Sequence, residues 1–373
     1  VEGRAAVTDL LYSDTEIALR ESVRSMLNKR LTPADVMALY DSRNPRPTQR
    51  LWAALRDEVG VTALLVPEYA GGHGTGAREA AVVLEELGRR VAPVPFLASA
   101  VVATRCLAGA RDTVWLPRLA AGDATAVLCV PLVAYASTWT ATVRAERAGL
   151  VGDVRGVAGG ATEVLVVPVR TDDDIELHAV EPGAAGVSVT QVVSLDMSRP
   201  LADIAFDGAR SRAIRCGGEA QRAVDDALTA GAALLASEQL GLAEWCLDTT
   251  VTHLRDRYQF GRPLGSFQAL KHRLADLVVD ITASRAVARY AADCLATNSH
   301  DIAVAASLAQ AYCATVAVRA AEECIQLLGG IGMTWEHPAH LYLKRAKADQ
   351  LAFGTPAQHR ARLAELVDVP AAC

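Results

Sequence analysis

Residues 13–121 place apolar side chains at helical spacing, for example over 17–27 and 80–87, with breaks at Pro45, Pro47, Pro67 and the glycine-rich turn 71–76. Between 125 and 207 the period shortens. Residues 162–169, 176–180, 187–195 and 202–206 are β-branched runs parted by Gly, Pro and Asp, which predicts strands of an antiparallel barrel or sandwich. From Gly218 the helical period returns in longer stripes. Val224, Leu228, Leu235 and Leu242 form one, Phe267, Leu270, Leu274, Leu277 and Ile281 a second, and Ile302, Ala305, Leu308, Tyr312 and Val316 a third. Short links between them predict an antiparallel bundle. The expected layout is mainly α with a central β domain: a helical domain over 1–122, a β domain over 123–217 and a helical bundle over 218–373.

Composition narrows the class. Apolar residues make up 51% of 373 residues and charged ones 21%, which suits a large core and argues against disorder. The net charge of −6 and the lack of a long basic run argue against nucleic-acid binding. Lys occupies only positions 29, 271, 344 and 347, so Arg supplies most positive charge. The eight cysteines include no Cys-x-x-Cys pair, which predicts a reducing, cytoplasmic setting and no zinc site. Residues 1–14 carry charges instead of a signal-type apolar core, and no unbroken apolar run approaches the ~20 residues of a membrane span. Cys373 is the last residue, whereas a prenylation box needs its Cys four from the end.

Several segments invite chemistry. Gly71-Gly72-His73-Gly74-Thr75-Gly76 looks like a phosphate loop, and 61–66 before it could be a strand. No βαβ series follows, so a structural turn is the better expectation. His337 and His340 are three apart with Pro338 between, which does not fit a zincin helix. His272 falls in an apolar stripe and reads as a packing residue. Two longer segments stand out. Residues 255–268 leave a helix through Arg257, turn at Gly261 and Pro263, and enter the next helix with Ser266 as a possible cap. Gln326-Leu327-Leu328-Gly329-Gly330-Ile331-Gly332 breaks a long helix with three glycines, which lets a ligand approach the backbone. Arg257 offers a planar fork for phosphate oxygens.

Taken together, Val66-Pro67-Glu68-Tyr69-Ala70-Gly71-Gly72, Leu116-Pro117-Arg118, Arg257-x-x-Phe260-Gly261, Phe267-Gln268-x-x-Lys271-His272 and Gln326-x-x-Gly329-Gly330-x-Gly332 resemble the acyl-CoA dehydrogenase flavoprotein family over nearly the whole chain. The resemblance implies an N-terminal helical domain, a middle β-barrel and a C-terminal four-helix bundle. It implies oxidation of an acyl-CoA at Cα–Cβ, with hydride passed to FAD while a glutamate removes the α-proton. Each FAD in this family lies across a subunit interface. By resemblance Arg257, Gln259, Phe260, Gln268, Gln326, Gly329 and Gly330 hold the ADP half of the neighbouring subunit's FAD.

The flavin-ring side departs from the family. A Thr-Glu-Pro-x-x-Gly-Ser-Asp segment is expected near 128–138, where this chain reads LCVPLVAYAST, and the aromatic expected near 155–157 is absent. The two positions at which the family keeps its base hold Phe353 and Gly231. Glu238 is the remaining candidate, but it lies two helical turns beyond Gly231, ~10.5 Å along the axis, against the ~3 Å reach of a general base. Asp225 and Asp226 are displaced nearly as far the other way. The resemblance is therefore to the non-catalytic subunit of actinobacterial α2β2 acyl-CoA dehydrogenases that act on bulky substrates such as steroid side-chain CoA thioesters. It implies a catalytic family member as partner, acyl-CoA bound mainly on that partner, electron-transfer flavoprotein as acceptor, and no nucleic acid or membrane. The alternatives are a homotetrameric dehydrogenase using Glu238 as a displaced base, and a flavin-free protein of this fold with a non-redox binding or dehydratase role.

Overall fold

The computed structural model describes residues 10–42, 46–159, 162–172 and 174–368. Residues 1–9 and 370–373, on which the readings of a leader and a lipid box partly rest, lie outside the described residues, as does Pro45.

The first part is helical: α1 (Asp14–Arg30), α2 (Pro33–Ser42), α3 (Arg46–Ala54), α4 (Ala77–Gly88), α5 (Thr104–Gly109) and α6 (Trp115–Ala120). A capping box starts α1, with the Ser13 amide donating to the Glu16 carboxylate at 2.6 Å and the Glu16 amide to Ser13 Oγ at 3.3 Å. Ile17, first in the expected stripe, faces solvent, and Val23, Met26 and Leu27 carry the packing. Almost all of α4 is buried, including Glu85 and Glu86, which Arg20 meets at 2.5 and 2.9 Å. Residues 61–66 form no strand. Gly60 adopts φ 74° and starts a short 3-10 turn, Val61–Ala63. The 71–76 turn satisfies itself: Gly72 N donates to Pro67 O, His73 N to Ala63 O and Thr75 Oγ1 to Leu64 O.

Strands β1 (Ala126–Leu128), β2 (Val143–Glu146), β3 (Gly149–Ala158), β4 (Val164–Arg170), β5 (Ile175–Val180), β6 (Val187–Val192), β7 (Leu201–Ala209) and β8 (Arg212–Cys216) make the middle part, in the order β6-β7-β3-β2-β4-β5-β8 with β1 also on β4. The expected all-antiparallel pairing does not hold throughout. Both β1 and β2 run parallel to β4, against Val164–Val166 and Val169–Arg170 respectively. β3 is the longest strand, yet its apolar alternation is interrupted by glycine. At Gly152, with φ 139°, a Cβ would stand 2.7 Å from Thr142 O. Leu165, Val167 and Val169 share a core with Val127, Leu150, Ile204 and Phe206, while Val164 and Val166 face the helices.

The last part comprises α7 (Gly218–Asp256), a hairpin of β9 (Tyr258–Gln259) and β10 (Arg262–Pro263), α8 (Gln268–Ala296), α9 (Ile302–Leu328), α10 (Ala339–Leu351) and α11 (Pro356–Leu366). Backbones of α4 and α7 touch where they cross: a Cβ on Gly88 would lie 2.2 Å from Glu238 O, and one on Gly241 2.0 Å from Glu85 O. Residues Ile302–Met333 are long and apolar enough to cross a membrane, but 61% of their most apolar window is buried inside the protein, as befits a core helix. Two local expectations fail. His272 is exposed, because the start of α8 has no neighbour on that face. Phe267, not Ser266, precedes α8 as its cap residue, and Ser266 Oγ is buried without a partner.

Candidate functional site

Arg257 directly follows α7. Its N–H closes the helix on His253 O at 2.9 Å, and its carbonyl accepts from Leu264 N at 2.8 Å, so the backbone is held while the side chain is exposed. The hairpin turns through Phe260 (φ 54°) and Gly261 (φ 75°), a left-handed pair suited to a two-residue loop. Arg262 lies 3.9 Å over the Phe267 ring, and Phe260, 88% exposed, meets that ring edge-on. Among the described residues Arg255, Arg257 and Lys271 form no ion pair, so their exposed side chains are open to a ligand at this corner.

At the far end of α9, Gln326 is exposed and Gly329 (φ 65°) starts a tight turn to Met333. No heavy atom comes within 4 Å of where a Cβ would stand on Gly261, Gly329 or Gly330, so packing within this chain does not demand those glycines. The pairs Arg273–Glu323, at 2.7 Å, and Arg319–Asp280 set α8 antiparallel to α9. Continued outward, that register puts Gln268 level with Leu328. Burial pushes His253, one turn before Arg257, below the ordinary imidazole range, and burial plus the charge on His253 does the same to His337. The Arg257 corner, Gln268 and the Gln326–Gly329–Gly330 turn thus lie at one end of the bundle.

The second centre is filled. Phe353 (φ 53°) is buried, and its N–H donates to Leu132 O at 2.8 Å. Its Cζ lies 2.9 Å from where a Cβ would stand on Gly231. The two positions thus converge, and neither carries an acid. The loop after β1 closes over them. Tyr135 is tilted on His359 with centroids 5.8 Å apart, and His359 Nε2 donates to Phe353 O at 2.7 Å. Asp225 fixes the loop's end by accepting from Ser137 N at 2.7 Å and Trp139 Nε1 at 2.9 Å. Cavities of about 30 and 40 Å³ flank the Phe353 ring, one also lined by Leu97, Leu132 and Arg199, the other by Thr229, Ser307 and Arg362. Each holds only a few waters.

Glu238 belongs to neither centre as a free acid. Arg199 meets it at 2.7 Å and Arg345 pairs with it as well. Burial would raise its pKa, but the two guanidiniums outweigh that and hold the carboxyl below its usual range. Arg345 also meets Asp196 at 2.5 Å, and Arg199 meets Asp349 at 3.2 Å. The sequence reading missed this cluster. Its one local trace is the helical i, i+4 spacing of Arg345 and Asp349. His337 Nδ1 accepts from Ala339 N, while His340 lies edge-on to Trp335, and no group of three or more His, Cys, Asp or Glu among the described residues is arranged to hold a metal.

Comparison with known proteins follows the same division. Residues 13–123 match the family model "Acyl-CoA dehydrogenase, N-terminal domain" and residues 211–367 match "Acyl-CoA dehydrogenase, C-terminal domain". Acyl-CoA dehydrogenase IpdE2 of Mycolicibacterium smegmatis is 35% identical over 353 residues, covering 94% of this chain and 98% of its own. Among solved structures, the ChsE4-ChsE5 complex from Mycobacterium tuberculosis aligns with TM-score 0.84 at 26% identity, over 98% of this chain and 100% of the other. A steroid ACAD, Tcur3481-Tcur3483, aligns with TM-score 0.81 at 27% identity, over 95% and 98%.

Proposed function

This chain belongs to the acyl-CoA dehydrogenase family, and from that premise we propose that it is the non-catalytic subunit of an α2β2 dehydrogenase for a bulky, steroid-type acyl-CoA. Its part is to clamp the ADP end of an FAD whose flavin ring, base and acyl-CoA site belong to a catalytic partner of the same family. The observation that supports this reading is Phe353 packed against Gly231, which puts an aromatic ring where the family resemblance calls for an acid.

FAD fits one end of the molecule and not the other. Exposed Arg257 suits a diphosphate, Gln259, Gln268 and Gln326 offer amides, and Gly329 and Gly330 leave open surface beside them. Beside Phe353, where the resemblance places the flavin ring, the two cavities are too small for it. When bound, FAD takes up the hydride as the Cα–Cβ bond is oxidised. This chain's residues hold and orient the cofactor, and electron-transfer flavoprotein is the fitting acceptor. The likeness to the ChsE4-ChsE5 complex and to a steroid ACAD supports a heteromer and this substrate class. The double ion pair on Glu238 weighs against a homotetramer that uses it as base.

The test is flavin content. Purified alone, the chain should carry little FAD. Co-purified with a family member that has the Thr-Glu-Pro segment and a glutamate base, it should form a yellow heterotetramer that oxidises acyl-CoA. Stoichiometric FAD in the lone chain would refute the proposal.

A further inference from the structure

Three carboxylates, Asp196, Glu238 and Asp349, are buried together with only two guanidiniums, Arg199 and Arg345. Fully ionised, the cluster would leave an uncompensated negative charge out of water, which is costly enough that one acid takes up a proton instead. The donor supply decides which. Asp196 receives Arg345 at 2.5 Å, Ser198 N at 3.0 Å and Tyr40 OH at 3.3 Å. Glu238 receives both guanidiniums. Asp349, fully buried, has only Arg199 at 3.2 Å on Oδ1, and its Oδ2 has no partner. Nearby, Gln239 Nε2 donates to Asp349 O at 3.3 Å while Gln239 Oε1 lacks a donor. Two buried acceptors without donors are what a missing proton leaves behind.

We propose that Asp349 is a neutral acid in the folded chain, and that its buried cluster is a pH-sensitive device that stabilises the fold while this proton is held and weakens it as alkaline pH removes the proton. Arg199 joins the cluster across the fold: it reaches from the segment before β7 to Glu238 on α7 and Asp349 on α10, and it also lines the cavity beside Phe353. Facing Asp349 are Glu238 from α7, Arg345 from α10, Asp196 and Arg199 from the segment before β7, and the Gln310 amide of α9, which donates to Asp349 O at 2.9 Å. Tyr40 of α2 and Lys344 act on Asp196. Burial first, and then the charge on Glu238, push the Asp349 carboxyl up to about 8 against the pull of Arg199 and Arg345. Loss of this proton strengthens the pull on Arg199 but leaves three buried carboxylates on two guanidiniums, so the folded chain as a whole loses stability.

The test needs neither flavin nor partner. The full chain and Asp349→Asn, which keeps the shape and a donor, are unfolded in urea across the pH range. A folded pKa above the unfolded value gives stability that is complete at low pH and is lost as pH rises through the folded pKa. The unfolding constant of the wild type relative to Asp349→Asn should therefore rise about tenfold per pH unit from about pH 5 to 8, then level off. A ratio that does not change with pH would mean an ionised Asp349 and would overturn the proposal. So would failure of Asp349→Asn to fold, because Asn reproduces the neutral acid.

Discussion

The Phe353 ring lies against Gly231 so closely that its Cε1 and Cε2 are 3.0 and 3.1 Å from where a Cβ on Gly231 would stand. One residue excludes any side chain at the other. Gly231→Ala, which would normally favour a helix by about 1 kcal/mol, should here overpack the core and cost about 1–3 kcal/mol. In a Phe353→Ala background the sign should reverse. Denaturant unfolding of the four variants checks this.

Restoring an acid should not restore chemistry. Neither Phe353→Glu nor Gly231→Glu should let the lone chain reduce an artificial electron acceptor with acyl-CoA, because the 128–138 segment, LCVPLVAYAST, would still lack the Thr-Glu-Pro-x-x-Gly-Ser-Asp residues that the family resemblance calls for. Turnover by either variant alone would show that the missing acid was the only defect.

Arg257→Ala should deplete FAD from the heteromer roughly 10- to 100-fold in affinity, the loss of a charge-assisted hydrogen bond worth about 1.5–3 kcal/mol. The apo chain should melt as before, since the side chain is exposed. Lys should rescue in part, keeping charge without the fork. Retained flavin with a lowered apo melting point would assign Arg257 to the fold.

Glu238→Gln removes the shared partner of Arg199 and Arg345 in a dry interior. It should destabilise the chain by about 1–3 kcal/mol, the cost of guanidinium donors left without their acceptor, while the kcat of the assembled complex changes no more than a few-fold. A rate loss of about 100-fold or more with intact stability would make Glu238 the base.

Acid should weaken the Phe353 centre. Burial pushes His359 below the ordinary imidazole range, and its Nε2 donates to Phe353 O. A folded pKa below the unfolded one gives stability that is present above the unfolded pKa and lost as pH falls through the folded pKa. His359→Gln, which can donate but does not titrate, should flatten the acid-side decline in melting temperature.

Local sequence carried the helical stripes, four of the strand runs and the Arg257 and glycine turns, because periodicity, capping and turn chemistry are written within a few residues. It also carried the family resemblance and the absence of an acidic side chain at Phe353 and Gly231. It did not carry the glycine-interrupted β3, the parallel pairing of β1 and β2 with β4, or the exposure of His272, since each depends on what packs alongside. Nor could it show that Phe353 fills the space above Gly231, or that Asp196, Arg199, Glu238, Arg345 and Asp349 share one buried cluster. Those residues are far apart in the chain. Only the folded structure brings them within reach and out of water, and there burial and neighbouring charge decide which group keeps a proton and which space stays closed.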